Sequence, residues 1–127
     1  SMAKILIVDD DPDFTDATRM VLEKAGHTVT NATSGDKGFK RALEEKPDLV
    51  VLDVIMDSIL DGISVSQHMY DAAGTKDIPI IMVTSIANTD YAELFPTDEY
   101  IHINAFLSKP VAPANLLKQV DKHLPKK

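Results

Sequence analysis

The run Leu49-Val50-Val51-Leu52 leaves this chain few ways to fold. Four branched aliphatics in a row do not alternate between a wet face and a dry one, so they read as a strand buried on both sides, as in the middle of a parallel sheet. Pro47-Asp48 opens the run and Asp53 closes it, which sets a carboxylate at the C-terminal mouth of a central strand. In open α/β sheets ligands bind outside the carboxyl ends of the strands, so an acid there is better placed for chemistry than one on a helix flank.

The same pattern recurs along the chain. Lys4-Ile5-Leu6-Ile7-Val8 is a second apolar strand, and it ends in Asp9-Asp10. Asp11-Pro12 reads as N-cap and first helical residue, because proline fits at N1 and an acid suits the helix dipole. Phe14, Ala17, Thr18, Val21, Leu22 and Ala25 follow at helical spacing, and Gly26 is placed for a left-handed cap. His27 to Asn31 predicts a short strand centred on Val29, and Ser34 caps a helix through Phe39, Ala42 and Leu43 that stops before Pro47. Beyond the central strand, Asp61-Gly62 opens a third helix carrying Ile63, Val65, Met69 and Ala72, closed by Gly74. Pro79 to Val83 is a fourth buried strand leading into Thr84-Ser85. From Ile86 to His102 the pattern is weakest; Tyr91, Leu94 and Phe95 suit one helix face, which Pro96 ends early. Ala105-Phe106-Leu107 is a fifth short strand that ends at Ser108-Lys109-Pro110, and Pro113 starts a last helix with Leu116, Leu117, Val120 and Leu124 on its inner face.

Strands alternating with helices over short connections imply right-handed crossovers and a doubly wound parallel sheet covered on both faces. At this length the expected solution is the flavodoxin-like strand order 2-1-3-4-5. It makes the first and third strands neighbours, so Asp9, Asp10 and Asp53 converge at one mouth, flanked by Thr84 and Lys109.

Composition narrows the classes. The 127 residues fit one domain, with Ser1-Met2 expected to be an expression remnant and start. With no cysteine, disulfides, zinc-thiolate sites and thiol catalysis are excluded, and a cytoplasmic location is expected. A net charge of −7 repels nucleic-acid phosphate, so no direct nucleic-acid contact is expected. No apolar run is long enough to span a bilayer, and Ile5 to Val8, followed at once by three acids, is no signal peptide.

Three crowded carboxylates stay ionised together only if a cation joins them. Oxygen ligands without His or Cys select a hard ion, and Mg2+ needs only a few protein oxygens. A lysine across the pocket pairs with a tetrahedral anion as a point charge, and a threonine hydroxyl donates to it. These are the parts of a phosphoryl-transfer site whose product is an aspartyl phosphate. Each residue also has a plainer reading. Asp9 and Asp10 suit a turn and a helix cap, Phe106 suits a core, and Asp57 suits a solvated loop. His27, His68, His102 and His123 share no metal-ligand spacing and read as surface or packing residues.

Taken in order, Ile5 to Pro12, Pro47 to Asp53, Ile80-Ile81-Met82-Val83-Thr84 and Phe106-Leu107-Ser108-Lys109-Pro110 resemble the receiver domain of bacterial two-component response regulators. The resemblance covers essentially the whole chain. It implies a flavodoxin-like (CheY-like) fold in which Asp53 is the phosphoacceptor, and Asp9, Asp10, Asp53 and the Ile55 backbone carbonyl bind Mg2+. Thr84 and Lys109 would contact the phosphoryl group, Lys109-Pro110 would be cis, and Phe106 would turn inward with Thr84 as a switch. The implied partners are a histidine kinase or phosphotransfer protein and a downstream protein. Catalysis would extend only to the domain's own phosphorylation and dephosphorylation.

Two stretches depart from the family pattern. Met56-Asp57-Ser58-Ile59-Leu60-Asp61-Gly62 has aspartate where proline is usual and one extra residue before Asp-Gly. Asn104 stands where glycine is common, and asparagine tolerates the left-handed conformation. Ile55 and Ile86 flank the expected path of the hydrolytic water, and neither side chain orients a water, so phosphate loss should be slow. Pro96 interrupts the helix used by the family's output surface, so a monomer or weak dimer is expected. Two alternatives belong to other classes. A flavodoxin-like electron carrier needs a Ser/Thr/Gly-rich phosphate loop after the first strand, where Asp9-Asp10-Asp11 would repel a flavin phosphate. A Mg-dependent phosphatase with an aspartyl nucleophile carries that nucleophile after the first strand with a second Asp two residues on, a spacing Asp9-Asp10-Asp11 also contains.

Overall fold

A computed structural model of the chain describes residues 3–54, 59–84 and 104–124, with side chains described except at 53, 54, 59–64, 84, 106 and 108. Strands β1 (Lys4–Val8), β2 (Thr28–Ala32), β3 (Leu49–Val54), β4 (Ile80–Thr84) and β5 (Ala105–Ser108) form one sheet in the order β2-β1-β3-β4-β5, parallel throughout. Helices α1 (Pro12–Lys24), α2 (Gly35–Glu45), α3 (Ile59–Asp71) and α4 (Pro113–His123) cover it. None of the described helices is long and apolar enough to cross a membrane.

The all-apolar strands occupy the middle of the sheet because both of their faces are dry. Side chains alternate along a strand, so Leu6, Val8, Val50, Leu52, Ile80 and Met82 project to one face, where they meet Ala42 of α2 and Val65 and Met69 of α3. Ile5, Ile7, Leu49, Val51, Ile81 and Val83 project to the other, against Leu22 of α1 and Leu116 and Val120 of α4. The more polar β2 lies at an edge, next to β1 alone. Asp48 closes the lower end of the β1–β3 pair: its amide donates to the Lys4 carbonyl at 2.7 Å and its Oδ2 accepts from the Lys4 amide at 2.9 Å.

Helix ends fall where local chemistry puts them. The Asp11 side chain accepts from the Asp13 amide at 3.0 Å, with Pro12 as the first helical residue. Gly26 has φ +99, and the Gly26 and His27 amides donate to the Glu23 and Leu22 carbonyls, closing α1 as expected. Ser34 Oγ accepts from the Lys37 amide at 3.2 Å. α2 ends at Glu45, and its cap Lys46 is held at φ +49 just ahead of Pro47.

Some details differ from the expectations: α3 ends at Asp71, three residues short of Gly74, which is not left-handed. α3 begins at Ile59, two residues before Asp61-Gly62. An acid suits the first turn of a helix as well as the position before it, so Asp61 marks the N-terminal end without marking its first residue. β2 begins at Thr28, because the His27 amide is used to close α1 on the Leu22 carbonyl; the His27 side chain is buried, and its Nδ1 accepts from the Ala3 amide at 3.2 Å. Asn104 does not adopt the left-handed conformation. Its amide donates to the Ile80 carbonyl at 2.8 Å and its Oδ1 accepts from the Ile80 amide at 2.9 Å, so it extends the β4–β5 pairing by one residue. The shape of the loop around Asp57, the Ile55 carbonyl, Ile86 and the break at Pro96 all lie outside the described residues.

Candidate phosphoryl-transfer site

The sheet order brings the candidate residues to one edge. Val8 pairs with Leu52 across β1 and β3, so Asp9 and Asp53 are the next residues on adjacent parallel strands. Asp53 in turn pairs with Val83, and Thr84 is the last residue of β4, level with Val54 and Ser108. Lys109 follows Ser108 directly. Asp9, Asp53, Thr84 and Lys109, four positions far apart in sequence, thus stand at the C-terminal ends of neighbouring strands, where this class of sheet binds ligands.

The two acids after β1 differ in environment. Asp9 is buried, its amide donates to the Ala32 carbonyl at 3.0 Å, and its Oδ1 accepts from the Asp11 amide at 2.8 Å. Asp10 is exposed. Lys109 reaches back over this end of the sheet and puts its Nζ 3.7 Å from Asp9 Oδ2. The Asp9 side chain is fully out of solvent and that of Lys109 is 18% exposed, so the pair sits where charges are weakly screened. Lys109-Pro110 is cis, as expected.

Asp9 and Lys109 are therefore brought together with side chains described, and Asp10 follows Asp9 directly with its own side chain facing solvent. Asp53 and Thr84 are placed by their backbones at the same mouth, and Phe106 sits inside β5, paired with Met82; the side chains of these three lie outside the described set. Among the described residues no group of three His, Cys, Asp or Glu side chains is gathered to hold a metal ion, and the expected third carboxylate is Asp53. The donor chemistry still fits a hard cation: two carboxylates on consecutive residues of one strand end, one withdrawn from water, with a lysine as counter-charge.

Two neighbours were not legible as site residues. Phe14 sits under Lys109, with Nζ 4.2 Å from the ring centroid. Arg19 borders Asp9, Asp10 and Asp16 across a cleft of about 250 Å³, its Nη2 donating to Asn31 Oδ1. Helical spacing assigns Phe14 only to an apolar face; no sequence pattern pairs it with residue 109.

The response regulator receiver domain model matches residues 5–121. The chain belongs to the receiver domain family of two-component response regulators. This receiver domain is 35% identical to Protein PilH of Pseudomonas aeruginosa over 120 residues, covering 94% of this chain and 96% of that one. It is 40% identical over 85 residues to the DNA-binding dual master transcriptional regulator RpaA of Synechocystis sp., covering 67% of this chain but only 35% of RpaA. The chain thus spans nearly all of PilH and about a third of RpaA. Among solved structures, a putative response regulator from Chloroflexus aurantiacus superposes with a TM-score of 0.84 at 30% identity, covering 99% of this chain and 100% of that one. The receiver domain is a signalling module of two-component systems, and neither the electron-carrier nor the phosphatase reading finds support among these relatives.

Proposed function

We propose that this receiver domain accepts a phosphoryl group on Asp53 from a histidine kinase or phosphotransfer protein and relays it as a conformational change to a downstream protein. The observation that carries the reading is Lys109 Nζ at 3.7 Å from the buried Asp9, at the strand ends next to Asp53. An Asp53 carboxylate oxygen attacks phosphorus in line. The new O–P bond forms as the P–N bond to the donor imidazole breaks, and the departing ring nitrogen keeps the electron pair. Lys109 pairs with the phosphoryl oxygens and the Thr84 hydroxyl donates to them. Asp9, Asp10, Asp53 and the Ile55 carbonyl are the residues that would hold Mg2+. When bound, that ion neutralises charge on the equatorial oxygens.

Thr84 and Phe106 form the proposed switch. The chain works in the cytoplasm as a monomer or weak dimer, contacts no nucleic acid itself in keeping with its net charge of −7, and catalyses only its own phosphorylation and dephosphorylation. The test is incubation with a small phosphodonor and Mg2+. Intact-mass spectrometry should show one added phosphoryl group on the parent chain and none on Asp53→Asn. Equal labelling of the two would sink the assignment.

A further inference from the structure

The Lys109 ammonium lies between groups of opposite chemistry: the buried Asp9 carboxylate at 3.7 Å and the Phe14 ring at 4.2 Å from its centroid. Phe14 is the third residue of α1, and helical side chains lean toward the N-terminus, so a ring on this first turn reaches the end of the sheet where Lys109 stands. The ring is partly buried and packs against the core cluster that contains Leu22 and Leu116, which fixes its orientation. An aromatic face attracts an ammonium through its quadrupole, and more strongly as water is excluded. With its side chain only 18% exposed, Lys109 is largely out of water.

The lysine also has somewhere else to go. A cleft of about 500 Å³ opens beside the ring, lined by Asp11 and Asp13 as well as by Phe14 and Lys109. A lysine stem is flexible, and two carboxylates across the cleft compete for its charge. We propose that Phe14 is a positioning residue: its ring holds Lys109 Nζ on the Asp9 side of the cleft, ready for the phosphoryl group, and keeps it from swinging to Asp11 and Asp13. The proposal rests on the reading of Lys109 and Asp53 given above.

The experiment measures the phosphorylation rate of the full chain with phosphoramidate and Mg2+ by intact mass, a donor that needs no kinase surface. Phe14→Leu keeps apolar volume but loses the ring, and should slow the reaction about 3- to 10-fold; Phe14→Met, a second ringless variant, should do the same. Phe14→Tyr should restore the rate to within about 2-fold. In a Lys109→Ala background, Phe14→Leu should have no further effect, because its influence travels through the lysine. The Lys109 ε-methylene protons should be shifted upfield by the ring in the parent and lose that shift in Phe14→Leu. Parent-like rates in both ringless variants while Lys109→Ala is slow would overturn this proposal alone, as would an equal slowing by Phe14→Leu in the Lys109→Ala background. Phosphorylation of Asp53→Asn, or a parent-like rate in Lys109→Ala, would instead overturn the reading of the site and this proposal with it.

Discussion

Gly38 gives the sharpest test of how the core supports the site. It lies inside α2, where a Cβ would come 2.6 Å and 2.8 Å from the two γ-methyl carbons of Val8 and 3.3 Å from its Cβ. Val8 is buried at 3% exposure, the last residue of β1, and stiff at χ1. In a helix interior, glycine to alanine gains about 0.5–1 kcal/mol from backbone entropy. Forcing a methyl into a packed core costs about 1–3 kcal/mol, and the clash is with a side chain that has no free volume to rotate into. The packing term should win, leaving Gly38→Ala destabilised by about 1–2 kcal/mol. Urea unfolding followed by circular dichroism measures this, with a thermal midpoint lowered by about 3–10 °C. A double-mutant cycle adds the cause. Val8→Ala opens the space the new methyl needs, so the double variant should be more stable than the sum of the singles by about 1 kcal/mol. Gly38→Ala as stable as the parent, or an additive cycle, would refute the reasoning. Because Val8 precedes Asp9, a displaced Val8 should also slow phosphorylation.

Other residues give shorter tests. Asn104→Gly puts in the residue the family commonly carries, but removes the acceptor of the Ile80 amide, so stability should fall by about 1–2 kcal/mol in urea unfolding, with Asn104→Asp losing less. Ser34→Ala removes the cap of α2 and should cost about 1 kcal/mol while leaving the phosphorylation rate unchanged. Removal of divalent cations with a chelator should abolish phosphorylation, and restored Mg2+ should recover it; an unaffected rate would argue against the cation role of Asp9 and Asp10. Intrinsic loss of phosphate should be slow and should quicken several-fold in Ile86→Glu, read by phosphate-release kinetics, because a carboxylate orients water and isoleucine does not.

The central strands were legible because burial on both faces leaves a local mark: Leu49 to Leu52, Ile5 to Val8 and Ile80 to Val83 carry no polar residue at any phase. Helix caps were legible for the same reason, since Asp11, Gly26 and Ser34 act on amides and carbonyls within a few residues of themselves. Boundaries without such a signal slipped, as at Ile59, where an acid serves both before and inside the first turn. The role of Asn104 was not legible because its partner, Ile80, lies in another strand.

The candidate site divides along the same line. Which residues are candidates for its chemistry follows from the sequence by itself, because an acid or a lysine at the end of an apolar strand is a local event; alternation and handedness give the parallel, doubly wound sheet, and chain length favours the order β2-β1-β3-β4-β5 that the structure shows. How near those residues come is tertiary. The 3.7 Å between Lys109 and Asp9, the Phe14 ring beneath the ammonium, and the cleft that offers Asp11 and Asp13 as competitors arise from α1 and the β5–α4 turn packing side by side. Side-chain distances across elements depend on the packing of the whole core, and no short-range periodicity records them.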